Sequence, residues 1–296
     1  MPKDKPIILN EKKAEENKNK EIDKNSKKKI HIGILIFRII SLIIIIVCLV
    51  ILYRWHLENE ANKDVSDSLL TEDTISEDHI SINPGSTIQE PTETEKSQDN
   101  DENDVKTVKV NFDNLISQNS DTVGWIYINS TNINFPVVKS SNNDFYLRHN
   151  FKKEYNSAGW IYADYRNNFD DLDQNTIVYG HNRRNGTMFS NLKFYLKNSF
   201  AKANNAKYFT FNTKSQNYIA EIYSVYKINA SLLSFSNNFN SVDEYQAFID
   251  KSISQSAVDF ETQVSTNDKT LTLCTCDDNT IYRIVVNAKL IPILTD

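Results

Sequence analysis

Cysteine is scarce in this chain, and its scarcity limits the roles that thiols can play. The 296 residues include three cysteines, and Cys48 lies inside a long hydrophobic run. Only Cys274 and Cys276 remain elsewhere, two residues apart on a β-like run, where a disulfide between them would close a strained ring. A structural disulfide is therefore disfavoured, and a redox-active pair stays open. One reactive thiol beside an inert one is the preferred interpretation.

Net positive charge and internal repeats are also missing. The formal net charge is −6 and the isoelectric point is near 5.5, which argues against a nucleic-acid-binding protein. No internal repeat is visible, so a solenoid or propeller is not expected. An apolar content of 40% is typical of a globular core, and the length suits one large domain or two modest ones.

One long hydrophobic run is present, from Ile34 to Tyr53, interrupted only by Arg38. As a helix it spans about 30 Å, the thickness of a bilayer core. A buried core helix would need a polar face, and a signal peptide would need a nearby cleavage site; neither is found. We therefore predict a membrane anchor over residues 30–55. Ten lysines in residues 1–29 place that tail in the cytoplasm and the rest of the chain outside.

The segment after the anchor is acidic and polar. Residues 56–105 have few aromatics, and from residue 57 onward they hold fifteen Asp or Glu against two lysines. Such a composition buries too little apolar surface to offset chain entropy. We predict a disordered linker over residues 56–105 that holds a folded domain, residues 106–296, away from the membrane.

Short β-like runs dominate the folded domain, with helices between them. Helices are predicted near 111–118, near 187–196 and after Ser241, where Ser241 and Glu244 form a capping box. This pattern indicates a mostly-β barrel or sandwich decorated by helices. The strands are predicted at 124–129, 132–138, 159–163, 175–180, 207–212, 218–228, 270–276 and 281–293.

Only two of the five histidines fall within this domain, His149 and His181. His149 lies in an aromatic-rich segment, where a packed, hydrogen-bonded histidine is the common outcome. His181 follows a strand that ends in Gly180 and precedes a polar loop, a suitable position for a catalytic imidazole. A plain loop residue is the alternative for His181.

The most informative segment is Lys269 to Asp278, with Arg283 on the following strand. A cysteine at a strand tip is held rigidly and is open to substrate, and a nearby cation favours the thiolate. Arg283 stands alone on an apolar strand face, so it either forms a surface salt bridge or takes part in chemistry.

Together these residues resemble the sortase family of membrane-anchored cysteine transpeptidases, and class B most closely. The family signature Thr-Leu-X-Thr-Cys is similar to residues 272–276, which makes Cys276 the nucleophile and leaves Cys274 in the variable position. The strand-end Tyr-Gly-His corresponds to residues 179–181, and the arginine of the next strand to Arg283. Further matches lie at 123–126, 134–138, 146–151, 159–167 and 186–189.

The resemblance implies an eight-stranded sortase β-barrel, with a helical N-terminal extension and a helix before the cysteine strand. It also implies catalysis by His181, Cys276 and Arg283, with Asp278 as a possible supporting acid. The substrate is a C-terminal sorting signal of a surface protein, and the acceptor is an amine of peptidoglycan or its lipid-linked precursor. No cofactor or metal is implied, and a nucleic-acid partner is not expected.

Weaker assignments concern substrate binding. Leu147 and the loop that contains Phe235 are candidates for binding the peptide side chains, while Asn143 and Thr275 are candidates for fixing its backbone. Cys274 introduces an oxidation liability, because it lies where it can capture a sulfenate formed at Cys276.

Other functions remain open on the sequence alone. A sortase that polymerises pilins would use a lysine side chain as the acceptor, and an anchored cysteine peptidase would hydrolyse rather than transfer. Papain-like enzymes place the cysteine before the histidine and at a helix start, whereas here His181 comes first. A non-enzymatic adhesin is the alternative from outside enzymology.

Overall fold

The structure, a computed structural model, describes residues 5–82, 104–203, 206–276 and 281–294. The chain divides into two compact units, residues 1–57 and 58–296. Helix α1 (Lys5–Leu69) supplies the described part of the first unit and the start of the second. Among the described residues, one helix is long and apolar enough to cross a membrane, over Gly33–Leu69. Its large apolar side chains between Ile34 and Leu57 are exposed.

The second unit begins with the last turns of α1 and a two-stranded sheet. Strand β1 (Ile75–Ser81) pairs antiparallel with β2 (Asp104–Val110). Helix α2 (Phe112–Gln118) follows, where Asn111 caps the first turn by accepting a hydrogen bond from the backbone N–H of Asn114. The predicted N-terminal helix near 111–118 is therefore confirmed.

Residues 58–82 differ from the disordered linker expected over residues 56–105. Val65 and Leu69 of α1 are buried in the main core, and Ile80 and Ile82 pack in a second cluster with Ile219. This acidic segment contains a few apolar residues at helical or alternating spacing. They are enough to order the segment because the barrel provides a surface on which they can pack. Residues 83–103 lie outside the described part of the chain.

A closed eight-stranded barrel forms the body of the second unit, which confirms the predicted mostly-β architecture. Two of its pairings, β4 with β5 and β6 with β9, are parallel, and the others are antiparallel. Around the barrel the order is β10-β8-β7-β3-β4-β5-β6-β9. The strands are β3 (Thr122–Ile128), β4 (Ile133–Val138), β5 (Tyr162–Ala163), β6 (Asn175–Gly180), β7 (Tyr208–Thr213), β8 (Asn217–Asn229), β9 (Lys269–Cys276) and β10 (Tyr282–Pro292).

Two predicted elements are shorter than expected. The strand expected over 159–163 pairs only at Tyr162–Ala163, because Gly159 has φ +58° and the N–H of Trp160 bonds to the carbonyl of Tyr146. The helix expected over 187–196 begins at Ser190, since Met188 has a positive φ and the preceding residues form a turn. It is a 3₁₀ helix, Ser190–Leu196, followed by α3 (Asn198–Ala201).

The helix before the cysteine strand begins where its capping residues predict. A short 3₁₀ turn, Ala230–Leu232, precedes α4 (Val242–Ser254). The hydroxyl of Ser241 accepts the N–H of Glu244 at 3.1 Å, and the Glu244 carboxylate reaches back to the N–H of Asn240 at 2.8 Å. The capping interaction is therefore present, displaced by one residue on its carboxylate side.

The barrel core is built on large aromatic side chains whose polar atoms are satisfied. Trp125 and Trp160 are fully buried. The indole N–H of Trp125 donates to the side chain of Asn134 at 2.7 Å, and that of Trp160 donates to the carbonyl of Pro136 at 3.0 Å. A close-packed core of this kind gives the strand ends a rigid support.

Candidate active site

Three adjacent strands bring the predicted catalytic residues to one edge of the barrel. Strand β6 runs parallel to β9, and their last pair is Gly180 opposite Thr275. His181 comes directly after Gly180, so it is level with Cys276. On the other side of β9, Arg283 of β10 is the cross-strand partner of Cys276. The backbone therefore places Cys276 between His181 and Arg283.

Gly180 allows the end of β6 to pack tightly beneath the histidine. A Cβ at this position would lie 2.5 Å from Cδ1 of Ile161 and 2.8 Å from the ring of Phe189. The N–H of Phe189 also donates to the carbonyl of His181 at 3.0 Å. Phe189 is fully buried, so the backbone of His181 is fixed from below by a ring that cannot move far.

The imidazole of His181 is held by a backbone carbonyl. Its Nε2 lies 2.9 Å from the carbonyl oxygen of Leu147. A carbonyl only accepts hydrogen bonds, so Nε2 carries the proton in the neutral ring and Nδ1 is the nitrogen that gains or releases one. This contact fixes both the tautomer and the orientation of the ring.

The surroundings of His181 disfavour its charged form. Burial lowers the pKa of His181 below its ordinary value, and the hydrogen bond with Leu147 offsets this only in part. The positive charges of Arg183, Arg283 and Arg148 lower the pKa further. Near neutral pH the imidazolium is therefore a minority species.

Arg283 is half-buried at the start of β10. Its Nη1 donates to the backbone carbonyl of Tyr282 at 3.1 Å. A guanidinium carries five N–H donors in a planar fork, a geometry suited to stabilising a developing oxyanion.

Cys274 occupies a different environment from the strand tip. It is a buried thiol with 2% exposure, packed in a cluster with Tyr226, Phe235 and Val285. A thiol enclosed by other side chains in this way is closed to a peptide that approaches from solvent. The side chain of Cys276 and the whole of Asp278 lie outside the described residues.

The four residues considered for substrate binding occupy four separate environments. Leu147 contributes its carbonyl to His181, and Phe235 is buried over Cys274. Asn143 is engaged on both sides of its amide: Nδ2 donates to Asp164 at 3.1 Å and Oδ1 accepts the N–H of Tyr165 at 3.0 Å. Thr275 is buried, with its Cα opposite Gly180. Their roles toward a peptide stay predictions.

Asp164 organises one wall of this region, although the sequence assigned it no role. Its side chain is fully buried and accepts hydrogen bonds from Arg166 Nε at 2.8 Å and Nη2 at 2.9 Å. The hydroxyl of Tyr179 donates to it at 3.0 Å, as does the amide of Asn143. The acid and arginine two residues apart, at a strand end, were visible in the sequence as a motif without a function.

This network stabilises Asp164 as a carboxylate and binds Tyr179, which lies on β6 close to the predicted catalytic residues. Burial alone would raise the pKa of Asp164, but the hydrogen bonds from Arg166 and Asn143 outweigh it, and the pKa lies below its ordinary value. Tyr179 is the register partner of Cys274, two residues before His181 on the same strand. A rearrangement at Asp164 would therefore displace Tyr179 and with it the end of β6, which His181 follows.

The chain matches known proteins over this whole barrel. A family model for the sortase domain matches residues 126–291. Sortase B of Listeria monocytogenes is 36% identical over 197 residues, which cover 64% of this chain and 79% of that protein. The structure of a Staphylococcus aureus sortase B–substrate complex superposes with a TM-score of 0.59, at 35% identity, over 62% of this chain and 85% of that one.

A crystal structure of Clostridium perfringens sortase B is similar at 40% identity, with a TM-score of 0.58, over 61% of this chain and all of that one. The matched segment contains the three strands that carry His181, Cys276 and Arg283. On this evidence the chain belongs to the sortase family of cysteine transpeptidases, and within it to class B, which cleaves sorting signals on surface proteins.

Proposed function

We propose that Cys276 is the nucleophile of this transpeptidase, that His181 is its general acid and base, and that Arg283 stabilises the oxyanion. The observation that supports this most directly is the strand register, with Cys276 opposite Arg283 and one residue beyond the Gly180–Thr275 pair. Nucleophilic catalysis of acyl transfer needs these three functions within reach of a single carbonyl.

In the first half-reaction the thiolate of Cys276 attacks the carbonyl that follows the threonine of a sorting signal. The carbonyl π bond opens and its electrons move to oxygen, where Arg283 donates hydrogen bonds to the negative charge. When the oxyanion collapses, the C–N bond breaks and His181 gives its proton to the departing amine. A thioacyl-enzyme remains, together with a neutral imidazole.

In the second half-reaction a cell-wall amine replaces the leaving peptide. His181 now accepts the proton that the amine loses as it attacks the thioester. Collapse of this second intermediate forms the new amide and releases the Cys276 thiolate, which restores the starting charges. We propose an amine of peptidoglycan or of its lipid-linked precursor as the acceptor.

The lowered pKa of His181 limits how much enzyme is ready to react. The productive form needs a thiolate and an imidazolium together, whereas burial and three arginines favour the neutral ring. Only a small fraction of the enzyme is then correctly ionised at neutral pH. Anchoring offsets this low efficiency, because substrates held at the same membrane are presented at a high local concentration.

We further propose that α1 anchors the enzyme in the cell membrane, with the N-terminus in the cytoplasm and the barrel facing the cell wall. Its apolar side chains from Ile34 to Leu57 are exposed, as lipid contact requires. The lysines that precede them favour the cytoplasmic side.

The direct test incubates the full chain, in detergent micelles, with Leu-Pro-X-Thr-Gly-like and Asn-Pro-X-Thr-like peptides and a small amine. We expect cleavage after the threonine and transfer to the amine, detected by mass spectrometry. Cys276→Ala should abolish both reactions, whereas the matched variant Cys274→Ala should retain them. Activity that survives in Cys276→Ala, or is lost only in Cys274→Ala, would show that the nucleophile is misassigned.

The same assay separates the two neighbouring activities. Release of free acid in the presence of saturating amine would identify an anchored peptidase rather than a transferase. Preferential transfer to a lysine side chain of a pilin-like peptide, over a wall-type amine, would identify a pilin-polymerising enzyme. Asp278, which lies outside the described residues, stays a predicted supporting residue that Asp278→Asn would test in this assay.

A further inference from the structure

The last turns of α1 pack on the barrel close to the catalytic histidine. Glu58, Asn62, Val65 and Leu69 are spaced four, three and four residues apart, so they lie on one helix face. Val65 and Leu69 are buried in the main core, and Asn62 is only 4% exposed. This end of α1 is therefore a packed element of the second unit.

Two polar residues at the start of this packed segment contact the barrel near His181: Asn59 contacts the loop that follows the histidine, and Glu58 contacts Ser157. The side-chain oxygen of Asn59 accepts hydrogen bonds from Arg183 Nη2 at 2.8 Å and from the amide of Asn185 at 3.1 Å. The carboxylate of Glu58 accepts the hydroxyl of Ser157. Arg183 also binds Ser157, because its Nη1 donates to the Ser157 carbonyl at 3.1 Å. Both polar residues of α1 and the loop are therefore joined in one hydrogen-bonded network.

This loop, residues 182–188, is also held at its tip and at its base. The side chain of Asn132 donates to the carbonyl of Gly186 at the tip. A single β-bridge joins Asn182 to Met188 across its base. The side-chain atoms of Asn182 are buried without a hydrogen-bond partner among the described residues, so they do not stabilise the loop. The contact of Arg183 with Asn59 is therefore a principal hold on the part of the loop nearest His181.

We propose that the end of α1 holds the loop after His181 in place, with Asn59 as a positioning residue that acts through Arg183. The inference rests on the proposed acid–base role of His181. Arg183 is two residues from the histidine, and its guanidinium is bound on one side by α1 and on the other by the Ser157 carbonyl. Loss of the Asn59 acceptor would remove one of these two contacts and loosen the backbone that orients the imidazole.

The positive charge of Arg183 lies close enough to the imidazole to lower the pKa of His181, so a change in the position of Arg183 changes that pKa. Among the described residues, the charged groups that act on His181 are Arg183, Arg283 and Arg148, and all three lower its pKa. Glu58 is the carboxylate that interacts with Arg183. If Arg183 swings into solvent, the pKa of His181 rises, and the acid limb of kcat/KM moves to higher pH.

The test compares three variants of the full chain in detergent micelles, with a sorting-signal peptide and an amine as substrates. Asn59→Leu removes the acceptor and keeps the branched shape of the side chain. Asn59→Asp keeps an acceptor for Arg183. Glu60→Leu is the matched control, because Glu60 is the next residue on α1 and is exposed. Each variant is measured for kcat, KM, pH profile and thermal unfolding.

We expect Asn59→Leu to lower kcat roughly tenfold, as expected for one lost hydrogen bond to a charged group, with little change in KM. Its acid limb should move to higher pH. Asn59→Asp should restore kcat, and Glu60→Leu should behave as the unmodified chain. Unchanged kcat in Asn59→Leu, or equal losses in Asn59→Leu and Asn59→Asp, would overturn the proposal.

A double variant checks the route through Arg183. If Asn59 acts through that side chain, Arg183→Gln combined with Asn59→Leu should be little worse than Arg183→Gln alone. Fully additive losses would contradict this route. His181→Ala in the same assay tests the proposed function separately: retained turnover in that variant would refute the acid–base role, whatever the result at Asn59.

Discussion

At the scale of single residues, Asp164 combines full burial with a charge. A buried carboxylate is tolerated only when donors satisfy it, and here Arg166, Tyr179 and Asn143 supply them. Its environment lowers its pKa, so the charged form is stabilised by folding. The network contributes to stability at neutral pH while it also shapes the wall beside the histidine strand.

We predict that Asp164→Asn lowers the free energy of unfolding at pH 7 by about 2 kcal/mol, less than the usual cost of breaking a buried pair because Arg166 is partly exposed. The folded pKa is depressed, so this contribution is present above the unfolded pKa, near 4, and is lost as pH falls through the folded value. Chemical denaturation from pH 7 to pH 3 should show the difference shrinking. Asp170→Asn, an exposed control, should change little.

Gly180 offers a second residue-scale prediction, one of geometry. Gly180→Ala places a methyl group against Ile161 and the buried ring of Phe189, so we expect a loss of about 1–3 kcal/mol from overpacking. Turnover should fall more than tenfold, because the displaced backbone carries His181. Gly186→Ala meets open space but has φ +85°, so it should cost only about 1–2 kcal/mol and lower kcat much less than Gly180→Ala does. Equal turnover in the two variants would contradict this account.

At the scale of elements, α4 shows which features sequence patterns predict well. Its first turn is stabilised by side chains that are local in sequence, Ser241 and Glu244. We predict that Ser241→Ala lowers the free energy of unfolding by about 1 kcal/mol and leaves kcat/KM unchanged. Ser254→Ala, in the last turn of the same helix, should have a smaller effect. A loss of activity in Ser241→Ala without loss of stability would point to an unrecognised role for this helix.

Elements set by distant contacts were predicted less well. Strand β6 was predicted with its observed bounds, because five of its residues are buried and its end is marked by glycine. Strand β5 was overestimated, since the N–H of Trp160 bonds to Tyr146 rather than to a neighbouring strand. The packing of residues 58–69 was also missed because it depends on distant contacts. The sequence around Val65 and Leu69 does not indicate that the barrel buries them.

In the candidate site, too, residues in local motifs were predicted and contacts between distant segments were not. His181, Cys276 and Arg283 were predicted because each stands at a strand end in a recognisable motif. The contacts that hold His181, from the Leu147 carbonyl and through Arg183 to Asn59, join segments 34 and 124 residues apart. No spacing rule along the chain connects such positions. These supporting residues become visible only when the barrel brings their segments together.

At the scale of the whole molecule, the charge distribution predicts a definite topology. Lysines before the apolar part of α1 favour the cytoplasmic side, and Asp170 belongs to the barrel unit. We predict that Lys20→Cys, in spheroplasts, reacts with a membrane-impermeant maleimide only after permeabilisation, whereas Asp170→Cys reacts at once. A Cys276→Ala background removes the proposed reactive thiol, and of the native cysteines left, Cys274 is buried and Cys48 lies in the apolar run. Immediate labelling of Lys20→Cys would show that the N-terminus lies outside the cell. The barrel would then lie in the cytoplasm, without access to cell-wall amines.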